Sequence, residues 1–423
     1  MKYFGKKLLI LGGASVHVKL ISAAHKLGAY VIVTDNVEYE KSPGKQIADE
    51  YWDINIFDVD LIVDKAKKIG IDGVISGWLD PCQKPYCDIC EELRLPCYCT
   101  NDQVSKLSDK QEFKKLCREF DVNTIPDFTL DDVKNKTIKF PVFVKPTDSR
   151  GSRGQNICFD YEQLKDAIKK ARDESRNGEI LIEKYLDSFN EFHVTYFFID
   201  GEPYLVRTSD NYCGSKDLKM EKVVSCAIMP SRYTERYINT SHCKVITMLK
   251  SLGIKYGPVL MQGLSDGDKF IFFDPGFRFA GVDFELVFKK VFDVDFMEAM
   301  VDIAFTGKCH ITIPTEATQL NHKMGSVLYL KVKACTIAKI SGEKEIVNCP
   351  DVVSYWKRKD IGDRVEWSYN VNQRLAEIDI LSGSIKELIR TINFVQSKIL
   401  VKDREGNDVI YDKFDTERLK GLY

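Results

Sequence analysis

The chain opens with a regular exchange of two hydrophobic rhythms. "KLLILGG" is a short unbroken apolar run ending in two glycines, the pattern of a buried strand and a tight turn. "SVHVKLISAAHKLG" then repeats apolar residues at helical spacing and stops at Gly28, a residue suited to the left-handed end of a helix. "AYVIVTD" returns to the strand rhythm, "VDLIVDKAKKIG" to the helical one and "IDGVISG" to the strand. Such βαβ alternation predicts a parallel sheet with its ligand loops at the carboxyl ends of the strands. Those loops hold Gly12, Gly13, Asp35 and the run Gly77-Trp78-Leu79-Asp80.

From residue 108 the rhythm changes. "SDKQEFKKLCREFDV" predicts a helix with Ser108 at its N-cap and Gln111 three residues on. "KFPVFVKPTDSRGSRGQNICF" reads as a strand ending at Lys145, a loop of glycine and serine, and a second strand. A helix from 161 to about 175 leads to the strand "EILIEKYL". "FHVTYFFIDGEPYLVRT" predicts a hairpin turning at Asp200-Gly201, with its alternating aromatics facing core. "QGLSDGDKFIFFDPGFRFAG" predicts another, turning at Asp266-Gly267-Asp268. Its arms bring Gln262 and Asp274, twelve residues apart, across from one another, and Arg278 follows four residues later. The last hundred residues suggest strands and a helix near 384–398.

Composition narrows the classes. A chain of 423 residues fits two or three domains. Its 61 basic and 63 acidic residues nearly cancel, so no nucleic-acid or membrane-surface partner is expected. The start "MKYFGKKLLILGG" has lysines before an apolar core too short for a signal peptide, and reads as the first strand. Thirteen cysteines then suggest a reducing cytoplasm with free thiols. Five cluster as Cys82, Cys87, Cys90, Cys97 and Cys99. The Cys87/Cys90 spacing permits zinc, but "PYCDICEELRLPCYCT" also reads as a helix followed by a strand, each with two cysteines on one face. Free cysteine packs as a small hydrophobe, so structural packing is the expectation here.

The polar residues that interrupt these rhythms carry the chemistry. Lys110 at a helix start and Lys145 at a strand end can both meet phosphate oxygens. The loop "DSRGSRG" offers close-approaching backbone N–H groups, two hydroxyls and two arginines, a composition able to curl over a polyphosphate. Oxygen donors at Gln262 and Asp274 suit hard Mg²⁺, and Arg278 suits a phosphate or carboxylate. A nicotinamide site is the rival, but the first turn reads Gly12-Gly13-Ala14-Ser15-Val16-His17 and lacks the G-x-G-x-x-G fingerprint. Asp35 is left to hydrogen-bond a substrate or cap a loop. The six histidines are scattered, and His17, His193 and His242 read as structural, with His193 nearest to Glu191. Arg207 and Lys216 are two cations available for a substrate carboxylate.

In order and spacing, "SDKQEF", "FPVFVKPTDSRGSRG", "LIEKYLDSFNE", "KYGPVLMQGL" and "FFDPGFRFAG" resemble the ATP-grasp superfamily of ligases. The resemblance is sharpest over residues 108–281. It implies an α/β and α+β multidomain chain: a parallel βαβ, Rossmann-like domain over 1–104, an ATP-grasp domain over 105–310 with a mobile lid at about 124–188, and a small α+β domain over 311–423. It further implies ATP and Mg²⁺ as cofactors. Lys110, Lys145 and the loop residues Ser149, Gly151, Ser152, Arg153 and Gly154 would bind phosphates. Glu183, Lys184 and Leu186 would line the adenine pocket, the last two through backbone atoms, and Glu191 would hold the ribose. Gln262 and Asp274 would bind the metal, while Arg278 and Lys145 would act in catalysis.

The implied reaction activates a small carboxylate as an acyl phosphate and couples it to an amine, an amino acid being one candidate substrate. The alternatives are a bicarbonate- or formate-activating enzyme of the purine-pathway kind and a non-catalytic ATP-binding subunit. A homodimer is the assembly common among similar enzymes. One departure stands out: Gly276 occupies a position where asparagine, a further metal ligand, is common, and Gln262 and Asp274 stand where many members have glutamates.

Overall fold

The computed structural model describes residues 1–423 apart from 148–153, 176–177, 187–189, 221–222 and 282–283. Strands β1 (Lys7–Leu11), β2 (Tyr30–Thr34), β3 (Glu50–Trp52) and β4 (Gly73–Ile75) form a parallel sheet in the order β3-β2-β1-β4. Helices α1 (Val18–Leu27), α2 (Pro43–Ile47), α3 (Val59–Ile69) and α4 (Asp80–Leu93) connect and cover it. The apolar runs Leu8–Leu11 and Val31–Val33 are wholly buried, as expected of strands covered on both faces. Gly28 closes α1 at φ 90°, a conformation its lack of a Cβ permits.

The glycine turn after β1 is filled by the protein itself. Asp35 accepts hydrogen bonds from the Gly13 N–H at 2.7 Å, the Val37 N–H at 2.8 Å and the Ser42 hydroxyl at 3.0 Å. Lys45 adds an ion pair at 2.9 Å. A Cβ at Gly13 would lie 2.1 Å from Ser42 Oγ, so glycine is required there. Asp35 is therefore a loop cap.

Two local expectations are corrected. Asp109, not Ser108, caps the helix that begins at Lys110. The chain forms α5 (Asn101–Ser108) and then α6 (Lys110–Glu119), and the Asp109 carboxylate accepts the N–H groups of Gln111 and Glu112. A carboxylate at a helix start gains from the helix dipole as well as from the hydrogen bonds. Ser108 instead ends α5, its hydroxyl bonded to the Val104 carbonyl. The second correction concerns residues 95–99, which do not form a strand. After Arg94 turns left-handed, they fold back along α4, and the Tyr98 N–H is spent on the Tyr86 hydroxyl at 3.1 Å.

Strands β5 (Asp127–Phe128), β6 (Val142–Pro146), β7 (Asn156–Cys158) and β8 (Ile180–Lys184) form a small antiparallel sheet, order β5-β8-β6-β7. The helix Tyr161–Glu174 packs Leu164, Ala167 and Ala171 against Val142, Val144 and Ile182. This core is separate from the main one.

The central antiparallel sheet contains β9 (Asn190–Ile199), β10 (Glu202–Cys213), β11 (Val224–Met229), β12 (Gly257–Ser265), β13 (Phe270–Gly276) and β14 (Met324–Val332). Its order is β13-β12-β9-β10-β11-β14, continued by Arg374–Ser382 and Val352–Lys357. The helix Ile385–Lys398, capped by Ser384, packs against this far end. Among the described residues no helix is long and apolar enough to cross a membrane.

One buried ion pair fastens the far end of the sheet. Lys331 is fully buried and its ammonium meets Asp412 and the Ser225 hydroxyl. Asp412 also accepts the Ser215 N–H at 2.9 Å. Asp412→Ala strands that lysine and should cost about 3–5 kcal/mol. Urea denaturation monitored by fluorescence checks this.

Candidate active site

An antiparallel sheet points directly opposite residues to the same side. β9 pairs Glu191, His193 and Thr195 with Asn211, Ser209 and Arg207 of β10. On its other edge His193 faces Gln262 of β12, which in turn faces Asp274 of β13. One face of four strands thus carries Glu191, His193, Arg207, Ser209, Asn211, Gln262 and Asp274. The alternate residues of β9, Phe192, Val194, Tyr196 and Phe198, are buried and apolar on the opposite face.

Short contacts join the polar face. The Asn211 side chain lies 2.9 Å from His193 Nδ1, and Arg207 Nη2 donates to Ser209 Oγ at 2.6 Å. Glu191 Oε2 lies 3.7 Å from His193 Nε2, and the Cys213 thiol donates to its other oxygen. Gln262 Nε2 reaches Asp274 Oδ2 only at 3.5 Å, a long and weak contact. Burial holds the His193 pKa well below its ordinary value, reinforced by Arg207 and Arg278, so the ring is neutral.

Asp274 is exposed, yet loss of hydration is the largest influence on its carboxyl and raises its pKa. Asp80 raises its pKa further, while Arg278, Lys110 and Lys145 lower it. Glu191, partly exposed, is raised by the same desolvation.

Lys145 is held by Glu183. The Glu183 carboxylate is buried between two ammonium groups, Lys145 at 2.5 Å and Lys114 at 2.8 Å. Desolvation pushes its pKa up, but Lys145 and Lys114 together outweigh this and hold it below the ordinary glutamate value. Lys114 also donates to the Ile125 carbonyl at 2.8 Å. It stands four residues after Lys110 on α6, which is the helical spacing that could have flagged it. The Lys184 N–H pairs with the Pro126 carbonyl and the Tyr185 N–H with Pro141, and half-buried Leu186 follows.

Arg278 is buried, its Nε donates to Asp80 and its Nη1 to the Phe279 carbonyl at 3.2 Å. Asp80 is the first residue of α4 and crosses from the amino-terminal sheet. A Cβ at Gly276 would lie 2.8 Å from Asp80 Oδ1 and 3.4 Å from the Arg278 side chain. Asp80 thus sits where a side chain at 276 would project, and sequence spacing alone could not link residues so far apart. Ser149, Gly151, Ser152 and Arg153 lie outside the described residues. Gly154, at φ 69°, begins the return to β7. Lys216 is exposed, whereas Arg207 is buried with no hydrogen-bond partner for Nε or Nη1.

Residues 109–255 match the family model for the carbamoyl-phosphate synthase L chain, ATP binding domain. A formate-dependent phosphoribosylglycinamide formyltransferase from Prochlorococcus marinus is 26% identical over 203 residues, 45% of this chain and 50% of that protein. The chain thus spans about half the length of this curated relative. The crystal structure of the Hydrogenobacter thermophilus 2-oxoglutarate carboxylase biotin carboxylase domain dimer, with MgADP and bicarbonate, superposes with a TM-score of 0.77. That match is 17% identical and covers 96% of this chain and 91% of the other. An L-amino acid ligase from Bacillus licheniformis has a TM-score of 0.74 at 17% identity, covering 95% of this chain and 99% of that one.

The Glu183 bridge makes a pH prediction. A depressed folded pKa adds stability that is present above the unfolded value, about 4.3, and is lost as pH falls through the lower folded value. Glu183→Gln should therefore cost about 1.5–3 kcal/mol at neutral pH and flatten the acid limb of the stability profile, read by urea titrations across pH.

Proposed function

We propose that this chain, an ATP-grasp protein, is an ATP- and Mg²⁺-dependent ligase that activates a carboxylate as an acyl phosphate and joins it to an amine, releasing ADP and phosphate. The observation that carries this reading is the pairing of Gln262 with Asp274 on one sheet face, with Arg278, held by Asp80, beside Gly276 at the end of the same strand. A carboxylate does not condense unaided with an amine, because its leaving group is poor; phosphate leaves readily. Phosphoryl transfer needs positioned positive charge rather than a protein nucleophile. In this reading Lys110, Lys145 and Arg278 supply that charge.

In this reading Lys110 and Lys145 neutralise phosphate oxygens. Glu183 fixes the Lys145 ammonium and leaves recognition of the purine edge to the backbone of Lys184 and Leu186. Glu191 accepts from the ribose, and the loop containing Ser149, Gly151, Ser152, Arg153 and Gly154 covers the phosphates. Arg278 holds the reacting oxygens, fixed by its bond to Asp80.

The donor set fits Mg²⁺, which takes oxygen ligands and is usually held by one or two carboxylates together with phosphates. Asp274 and the Gln262 amide oxygen would hold it, and Asp80, in the space Gly276 leaves, supplies a second carboxylate. When bound, the ion neutralises charge on the transferring phosphoryl group. Arg207 favours an organic acid over bicarbonate or formate: it shares the face with His193, and its two unpartnered nitrogens, Nε and Nη1, suit a second anionic group farther from the reacting centre.

The same reading divides the chain at 1–104, 105–310 and 311–423. The segment 124–188 acts as a lid, for which the separate small core is the support. A cytoplasmic setting accords with thirteen free cysteines. A homodimer is proposed by analogy with the carboxylase domain dimer, and light scattering tests it.

The test is phosphate release with ATP, Mg²⁺ and pooled amino acids and small carboxylates. Substrate-dependent release should fall about 10²–10³-fold in Lys145→Ala and Arg278→Ala. Arg207→Met should raise KM for the acid more than it lowers kcat. Bicarbonate-dependent release without an organic acid would favour the alternative substrate. Release unchanged in Lys145→Ala would sink the assignment.

A further inference from the structure

We infer that Cys87, Cys97 and Cys99, completed by Cys90, form a structural binding site for a soft divalent cation, zinc above all. The Sγ atoms of Cys87 and Cys99 are 3.5 Å apart, and those of Cys87 and Cys97 are 3.9 Å apart. All three lie within 4.8 Å of one another. Tetrahedral zinc with sulfur ligands at about 2.3 Å requires sulfurs separated by ~3.8 Å. Two of the sulfur–sulfur edges are already near that length. Among the described residues no other group of three histidine, cysteine, aspartate or glutamate side chains brings its ligand atoms this close.

The chain supplies the four sulfurs in two pairs. Cys87 and Cys90 stand one turn apart on α4, and Cys97 and Cys99 lie on the segment that folds back along it. Cys90, buried and one turn from Cys87 on α4, is the fourth ligand that the proposal adds to this triad. Cys87, Cys90 and Cys99 are at most 4% exposed, whereas Cys97 is half-buried and gives the ion an entry side.

Packing alone accounts poorly for this arrangement. A free thiol in a core behaves as a small hydrophobe and gains from carbon neighbours, whereas these sulfurs turn towards one another. The placement also gives the ion a purpose. α4 begins at Asp80, which holds Arg278, and Tyr98, between two of the ligands, donates to the Phe277 carbonyl at 3.1 Å. A metal joining α4 to residues 97–99 fastens two supports of the segment that carries Arg278. With four protein ligands and no open position the site is structural, not catalytic.

The experiment uses the full chain, purified without chelators under reducing conditions. Elemental analysis should find about one zinc per chain after desalting. Cobalt exchanged into the wild-type protein should show thiolate-to-metal charge transfer and the ligand-field bands of a tetrahedral site. Cys97→Ser and Cys99→Ser should lose the metal and lower the melting temperature. The milder Cys90→Ser should keep the fold but change the cobalt spectrum. Reduced wild-type protein that holds neither zinc nor cobalt near one equivalent overturns the proposal. So does a Cys87–Cys99 disulfide in the isolated chain whose reduction restores no metal uptake. None of these readouts depends on ligase activity, so the two readings fail separately.

Discussion

The site depends on the hydrogen-bond register of one antiparallel sheet. Side chains alternate with a period of two, so a single-residue slip between β9 and β12 would turn Glu191 and His193 into the core and Phe192 and Val194 towards solvent. Burial of Phe192, Val194, Tyr196 and Phe198 therefore fixes the polar face as firmly as any contact on it. The register sets Gln262 beside both His193 and Asp274. Four strands are thereby aligned by apolar packing on the side that does no chemistry.

The cations supplied by neighbouring elements are held by carboxylates. Glu183 holds Lys145 and Lys114, and Asp80 holds Arg278. Glu183 neutralises two ammonium groups that would otherwise repel one another, Asp80 neutralises one guanidinium, and the two carboxylates come from different elements. Burial makes such pairs strict: removing one partner leaves a charge without compensation. Arg207 differs, since two of its nitrogens lack a partner although it is buried. Phe284 beneath its guanidinium, at 5.6 Å, compensates in part.

The small sheet of β5–β8 joins this face through few links. Its apolar residues form their own core, and its connections to the main body include the Lys114–Glu183 pair, the Lys114–Ile125 bond and the bridge from Thr124 to Phe272. Polar links between separate cores let two bodies shift without opening either core. That is the physical basis for reading the segment as a lid.

Much of this was legible in the sequence. The strand and helix rhythms of the first seventy-five residues fix a parallel sheet because its strands are buried on both sides and its helices on one. The Gln262–Asp274 pairing was readable because a hairpin turn sets its own register. Local competition was less legible: Asp109 displaced Ser108 as a cap because a charged acceptor wins at a helix start, and residues 95–99 lost their strand to contacts with α4. The glycine at 276 read only as a missing ligand. Tertiary structure alone decided that Asp80, nearly two hundred residues earlier, fills its space. It likewise gathered the sulfurs of Cys87, Cys97 and Cys99, whose sequence pattern suggested ordinary packing. Periodicity along a chain encodes which face is buried, because burial repeats with the backbone. It does not encode which distant side chains meet, because that depends on how whole elements dock.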